Sequence, residues 1–336
     1  MILQRKIVHR GKGVVYTTYN GEYRISGVIH IYTGSQRISM TYSIRQYQDG
    51  FIDAQVRVGR EVTKTWTFFF QTPAEQLKHI YSQPDFDAET RHYCFKGNEL
   101  VGFLTSKVEK DDTRKASLEF PLVLPGHENC ESLLFERALD VLRKKGVRTV
   151  NTRVSGHWGR TVEMAEKWGY TFAKVVSMVY SMEVNTASIG DLPGLGEVAP
   201  YEHKKDFDQM VDIFVKNFKM TPEEARTNFE SLEKSEDRVI AHLVIRKDGK
   251  IVARALALRS EDDPAHAHTG TCYVTEEDQR KRLLVKIINI CKEAGVRTLV
   301  TPLFDDQLSQ KDRLIPFYKS LGFAHACTVS SYEKSL

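Results

Sequence analysis

The sequence predicts an α/β chain of mixed sheets, arranged as two tandem, similar domains behind an antiparallel β-rich N-terminal segment. Three observations predict it. From about residue 71 to the end, strand-like runs alternate with amphipathic helical runs. Landmarks recur at nearly one spacing: KGNELVG at 96–102 and KDGKIVA at 247–253 place Leu100 and Ile251 151 apart, GVRTV at 146–150 and GVRTL at 295–299 lie 149 apart, and the glycines of Trp168-Gly169-Tyr170 and Leu321-Gly322-Phe323 lie 153 apart. A period near 150 marks a duplicated domain rather than a solenoid. Before residue 70 the chain alternates apolar and polar residues between turn signals. The predicted boundaries are 1–70 for the β-rich segment, 71–185 and 197–336 for the two domains, and 186–196 for a Gly-, Ser- and Pro-containing linker.

Arg37–Arg45 alternates Ile38, Met40, Tyr42 and Ile44 with polar residues, and 51–58 repeats this with Ile52, Ala54, Val56 and Val58. Asn20-Gly21, Gly34-Ser35 and Asp49-Gly50 are hairpin signals. Thr63–Gln71 reads as a strand, and Thr72–Gln83 as a helix with Thr72 as cap and Pro73 in its first turn. Strands are predicted at 91–95, 100–108 and 115–124, a helix at 129–145 closed by Gly146, a strand at 147–154, a short helix at 160–168 and one or two strands over 170–184. The order then recurs: helices at 204–218 and 221–234, strands at 238–246 and 251–259 joined by Asp248-Gly249, and a strand at 272–274. A helix over 277–294 follows, with Leu283, Leu284, Ile287, Ile288 and Cys291 on one face. A strand at 296–303, a helix at 309–321 and a strand at 323–332 close the chain.

Composition is ordinary for a globular chain, at 41% hydrophobic and 27% charged residues. No apolar run approaches the roughly 18 residues of a membrane span, and the first residues lack the apolar core of a secretory signal, so a cytoplasmic location is expected. The five scattered cysteines, with no CxxC, read as reduced thiols. A net charge of +4 does not by itself imply nucleic acid. Ten Lys or Arg stand against four Asp or Glu through residue 70, so the basic N-terminal sheet is the one place that would suit a nucleic-acid backbone. His266 and His268 follow Glu261, Asp262 and Asp263, but without a third ligand at defined spacing no metal site is predicted.

The element order of each half, the Val-Gly of the hairpin at 101–102 and the helix end Phe317-Tyr318-Lys319-Ser320-Leu321-Gly322-Phe323 together resemble the GCN5-related N-acetyltransferase (GNAT) superfamily over about 70–185 and 190–336. The resemblance implies a loop of the form V-x-P-x-x-(Q/R)-x-x-G-x-(G/A) after the fourth strand, whose backbone N–H groups hold the acetyl-CoA pyrophosphate. In the C-terminal half Val274 and Gln279 fit this form, Glu276 replaces the proline, and Arg282 and Leu284 replace the small residues. In the N-terminal half Val123 and Pro125 fit, whereas Glu128, Glu131 and Leu133 do not. A carboxylate about 4 Å from a phosphate charge costs about 4 kcal/mol at an effective dielectric of about 20, so the acidic N-terminal loop disfavours the cofactor.

The resemblance also implies a tyrosine four residues before the glycine of the last helix, which protonates or positions the departing thiolate. Tyr318 occupies that place, and Ala165 is its N-terminal counterpart. Implied acyl-CoA contacts are Val274, Gln279, Arg280, Lys281 and Arg282, and candidate bases for an amine substrate are His268 and Glu119. The expected activity is N-acyl transfer from acetyl-CoA to an amine, by direct attack, in the C-terminal half. The missing glycines equally suit a non-catalytic tandem module that binds a partner or regulatory ligand. A transferase using aminoacyl-tRNA would also lack the glycine loop.

Overall fold

In the computed structural model the described residues are 14–336, apart from 20, 21, 34, 35, 70, 187–191, 219, 235, 261, 262 and 271; side chains are described from Tyr42 on, except those of Glu236, Asp305 and Asp306. The turn expectations at Asn20-Gly21 and Gly34-Ser35 lie outside the described residues. The chain divides into two compact units: Met1–Val176 with Cys327–Leu336, and Ser177–Ala326.

The first unit opens with an antiparallel meander of β1 (Val14–Tyr19), β2 (Glu22–Thr33) and β3 (Gln36–Gln46). The expected strand at 51–58 is a helix instead, α1 (Ile52–Thr63). The alternation there spans only a few residues, whereas the buried positions Ile52, Gln55, Val56, Gly59 and Thr63 follow the helical repeat over the whole segment. The described residues of Thr63–Gln71 form no strand either. Trp66 and Phe69 pack on Trp158, with ring centroids 6.1 and 4.9 Å away. Helix α2 (Ala74–Tyr81) follows, with Pro73 just outside it.

Then come β4 (Arg91–Lys96) and β5 (Glu99–Val108), whose two-residue turn puts Gly97 at φ 61°, where a glycine is favoured. β3 runs antiparallel to β4, so the meander continues this sheet. β6 (Lys115–Leu118), β7 (Leu122–Val123), α3 (Asn129–Lys144), β8 (Thr149–Val154) and α4 (Thr161–Lys167) complete the run. One sheet face packs Tyr93, Phe95, Leu100 and Phe103 against Val58 of α1. The other packs Cys94, Val101, Leu104 and Leu118 against Leu134, Phe135, Leu139 and Leu142 of α3. This alternation is what a sheet covered on both faces requires. Strand β9 (Thr171–Glu183) runs across the boundary at Val176.

The second unit contains β10 (Val198–Pro200), α5 (His203–Phe218), α6 (Pro222–Glu233), β11 (Val239–Lys247), β12 (Lys250–Arg259), β13 (His266–Thr269), β14 (Tyr273–Val274), α7 (Glu277–Glu293), β15 (Thr298–Phe304), α8 (Asp305–Ser309), α9 (Lys311–Ser320) and the start of β16 (Ala324–Ser335). Thr221 caps α6 by accepting from Glu224 N at 3.2 Å, while Glu224 accepts from Thr221 N at 2.7 Å. Ala253, Ala255 and Ala257 of β12 face Leu283, Leu284, Ile287 and Ile288 of α7, and their small size lets that helix lie close on the sheet. On the opposite face Met210, Phe214 and Phe229 of α5 and α6 pack on Val244 and Ile251.

The closing strands are exchanged between the sequence halves. Ser177–Glu183 of β9 pairs antiparallel with β15, and Ser330–Ser335 of β16 pairs antiparallel with β8. Each half of the sequence therefore supplies the last strand of the other unit's sheet.

Candidate functional site

The same irregularity interrupts the equivalent strand of both units. In the second unit Ala257 of β12 faces Thr269, and Arg254 faces Tyr273. Two residues of β12 thus oppose three of its partner, which is a β-bulge. β13 pairs in parallel with β15 only over His266–His268, and β14 pairs with β12 alone, so the two strands part beyond His268. In the first unit Ser106 faces Leu118 and Phe103 faces Leu122, giving the same two-against-three bulge. β6 pairs with β8 over Lys115–Ser117, and β7 pairs with β5 alone. Each unit therefore has a wedge-shaped gap between two parallel strands, with unpaired strand edges on its walls.

The two gaps are filled differently. In the second unit the gap holds Tyr318, only 2% exposed. Thr301 and Arg280 are polar neighbours of its hydroxyl. Thr269 Oγ1 bonds Thr301 Oγ1 across the parting strands at 2.9 Å. Burial holds the Tyr318 hydroxyl above the ordinary tyrosine range, with the Cys272 thiol adding to this and Arg280 and Thr301 opposing it. At neutral pH Tyr318 is a proton donor, not a base. Burial likewise raises the Cys272 thiol, against the pull of Arg280 and Arg254. In the first unit Ala165 stands in the place of Tyr318, and aromatic rings pack the space: Phe135 stacks on Trp168 at 4.0 Å, and Phe120 meets Tyr170 edge-on at 5.5 Å. Its tyrosine hydroxyl comes from another position: Tyr170, buried with no hydrogen-bond partner among the described residues and close to Glu119.

The loops before α7 and α3 are closed by their own side chains. Gln279, 4% exposed, accepts from Thr275 N and Glu276 N, both at 3.1 Å, and from Thr275 Oγ1. Arg282 bonds Asp278 at 2.6 Å and also Glu197, so its charge is committed to carboxylates. Leu284 is buried in the core. Lys281 is exposed, and Val274 packs at the edge of the α7 core. Before α3, Glu128 accepts from Gly126 N at 2.9 Å, and buried Glu131 pairs with Arg160 at 3.3 Å. Burial raises the Glu131 carboxyl, which Arg160 opposes.

Of the residues named from sequence, Tyr318 and Arg280 come together in the gap of the second unit. His268 does not join them. Ala267 and Thr269 face the α7 side of β13, and His268, between them, points to the other side, where burial and the charge of Arg238 keep its ring neutral. His266 is held by Asp263 at 2.8 Å, and among the described residues no group of His, Cys, Asp and Glu stands together as a metal site. Glu119 lies in the first unit at its bulge, reached by solvent, yet crowding by protein raises its carboxyl against the pull of Arg153. The cluster at 157–160 is structural: Trp158 Nε1 donates to Thr67 O at 2.9 Å, and Arg160 bridges Glu131 and Glu163. Sequence reasoning did not single out Thr269, Thr301 or Cys272 as site residues. The one signal was a threonine on the inward face of an otherwise apolar strand, which is too common to single out.

No protein-family model matches the sequence, and no curated protein does. Solved structures do match. A tandem GNAT protein from the clavulanic acid biosynthesis pathway is 14% identical, over 88% of this chain and 98% of that one, with a TM-score of 0.64. An acetyltransferase of the GNAT family from Colwellia psychrerythraea is 14% identical over 86% and 98%, with a TM-score of 0.62. A GCN5-related N-acetyltransferase from Sphaerobacter thermophilus is 13% identical over 88% and 95%, with a TM-score of 0.61. Repeated element order, the paired bulges and parted strands, and these matches along nearly the whole chain lead to one conclusion: this protein carries the fold of the GCN5-related N-acetyltransferases twice, in tandem.

Proposed function

We propose that the chain is an acyltransferase that takes its acyl group from an acyl-CoA, acetyl-CoA being the simplest donor, and delivers it to an amine, with the chemistry in the second unit. One observation carries this reading: a buried, protonated tyrosine hydroxyl with Arg280 beside it stands on the last helix of the second unit, while the first unit has Ala165 at that place and a buried tyrosine, Tyr170, beside a carboxylate instead. The similar structures, named as acetyltransferases, support it.

The residues fit a thioester better than they fit its phosphates. The parted strands offer backbone donors to a carbonyl. Tyr318 would hold a proton against the departing thiolate, with Thr301 beside it. The loop before α7 has no glycine pair, and Gln279 already occupies two of its N–H groups, so exposed Lys281 and the positive end of α7 would meet the phosphates. The same closed loop favours a second reading, a non-catalytic binding module.

Calorimetric titration with acetyl-CoA, followed by thiol release with a panel of primary amines, separates the two. Acyl transfer expects binding near one equivalent, and a Tyr318→Phe variant whose turnover falls about 10- to 1000-fold while KM changes little. No binding at millimolar acetyl-CoA, or unchanged turnover in the variant, removes the catalytic reading.

A further inference from the structure

Arg280 is an unusual residue to find where it is. It lies in the first turn of α7, at the positive end of the helix, where a cation is disfavoured. It is only 7% exposed. Its Nη1 is buried with no hydrogen-bond partner. Its one carboxylate neighbour among the described residues is Glu277, 3.3 Å from Nε, and that carboxylate also serves Arg313. Asp278 is taken by Arg282. Two guanidinium groups thus share one carboxylate, and the surplus charge is the one facing Tyr318. A buried guanidinium with a spare N–H is costly unless an anion completes it.

The surroundings restrict that anion. Tyr318, Thr301 and Thr269 supply hydroxyls, Cys272 a protonated thiol, and the group lies well inside the fold, not at the exposed Lys281 of the loop. A bulky, strongly hydrated pyrophosphate does not suit such a place. A carboxylate does: it is compact, singly charged and matches the planar fork of arginine. In the acyl-transfer reading, on which this inference rests, the atoms beside Tyr318 are those of the thioester and its acyl group.

We propose that Arg280 receives a carboxylate carried on the acyl group, so that the donor is the CoA thioester of a short dicarboxylic acid, not of a simple fatty acid. Calorimetric titration of the full chain with CoA, acetyl-CoA and succinyl-CoA tests it. Succinyl-CoA is expected to bind at least about tenfold more tightly than acetyl-CoA, and Arg280→Met to bring the two thioesters to equal affinity. If CoA and acetyl-CoA bind and succinyl-CoA gains nothing, the inference is overturned and the acyl-transfer reading stands. If no CoA compound binds, both fall. Should Arg280→Met fail to fold, the discrimination of the unaltered chain between the two thioesters decides alone.

Discussion

Replacing His92 by leucine should make the first unit resistant to mild acid. His92 sits on β4 between Gln46 and Leu104, fully buried, with neither ring nitrogen hydrogen-bonded. Burial, helped by Arg137 and Arg91, holds its pKa down to about 3. In an unfolded chain the ring titrates near 6.5. Between these values the unfolded chain binds a proton that the folded one refuses, so stability is complete above about pH 6.5 and is lost as pH falls toward 3. The loss is about 2 kcal/mol at about pH 5 and about 5 kcal/mol once both forms are protonated. Leucine removes this linkage and also the two unpaired ring nitrogens. Urea unfolding followed by tryptophan fluorescence reads the right unit, because Trp66, Trp158 and Trp168 all lie in it. Between about pH 7.5 and 5 the unaltered chain should lose about 2 kcal/mol more than His92→Leu, and the variant should be no less stable at the higher pH. An identical pH dependence in the two proteins would refute the reasoning, as would a variant destabilised by more than about 1 kcal/mol at about pH 7.5.

Two further perturbations test the packing that holds the units in shape. Arg246→Met strands Asp206, which is fully buried and bonded by Arg246 through Nε at 3.0 Å and through Nη2; thermal unfolding followed by circular dichroism should show a loss of about 3–5 kcal/mol. Gly159→Ala meets both a φ of 49° and the Trp66 ring nitrogen 2.7 Å from the new methyl, so it should cost about 1–3 kcal/mol and alter the near-ultraviolet signal of the stacked Trp66 and Trp158.

Much of the secondary structure was legible because it rests on local patterns. Helix α7 announced itself by Leu283, Leu284, Ile287, Ile288 and Cys291, and α6 by Thr221-Pro222 with Glu224. Residues 51–58 fit two periodicities at once. Ile52, Ala54, Val56 and Val58 satisfy a two-residue period, while Ile52, Val56, Gly59 and Thr63 satisfy a helical one, and only their distant neighbours decide between them: Leu77 and Tyr81 of α2 for Ile52 and Val56, the sheet for Val58. In the candidate site Tyr318 and Arg280 could be named from position in the sequence. Thr269, Thr301 and Cys272 could not, since a bulge that re-aims side chains leaves no mark in a short run of residues. Arg282 shows the converse: a basic residue at the expected place, already engaged by Asp278 and Glu197.

By itself the sequence determined the duplication, most of the order of helices and strands from residue 71 on, with β10, β13 and the break between β6 and β7 unread, and the asymmetry of Tyr318 against Ala165, because repeat spacing and apolar periodicity are properties of neighbouring residues. Tertiary structure alone decided that β9 closes the sheet holding β15 while β16 closes the one holding β8. It also decided that the same parting of strands has Tyr318 beside a guanidinium in one unit and Ala165 among packed aromatic rings in the other. The physical reason is that strand pairing and burial depend on residues more than a hundred positions apart, such as Thr298 with Glu183 or Ser330 with Val154, whose meeting no local pattern encodes.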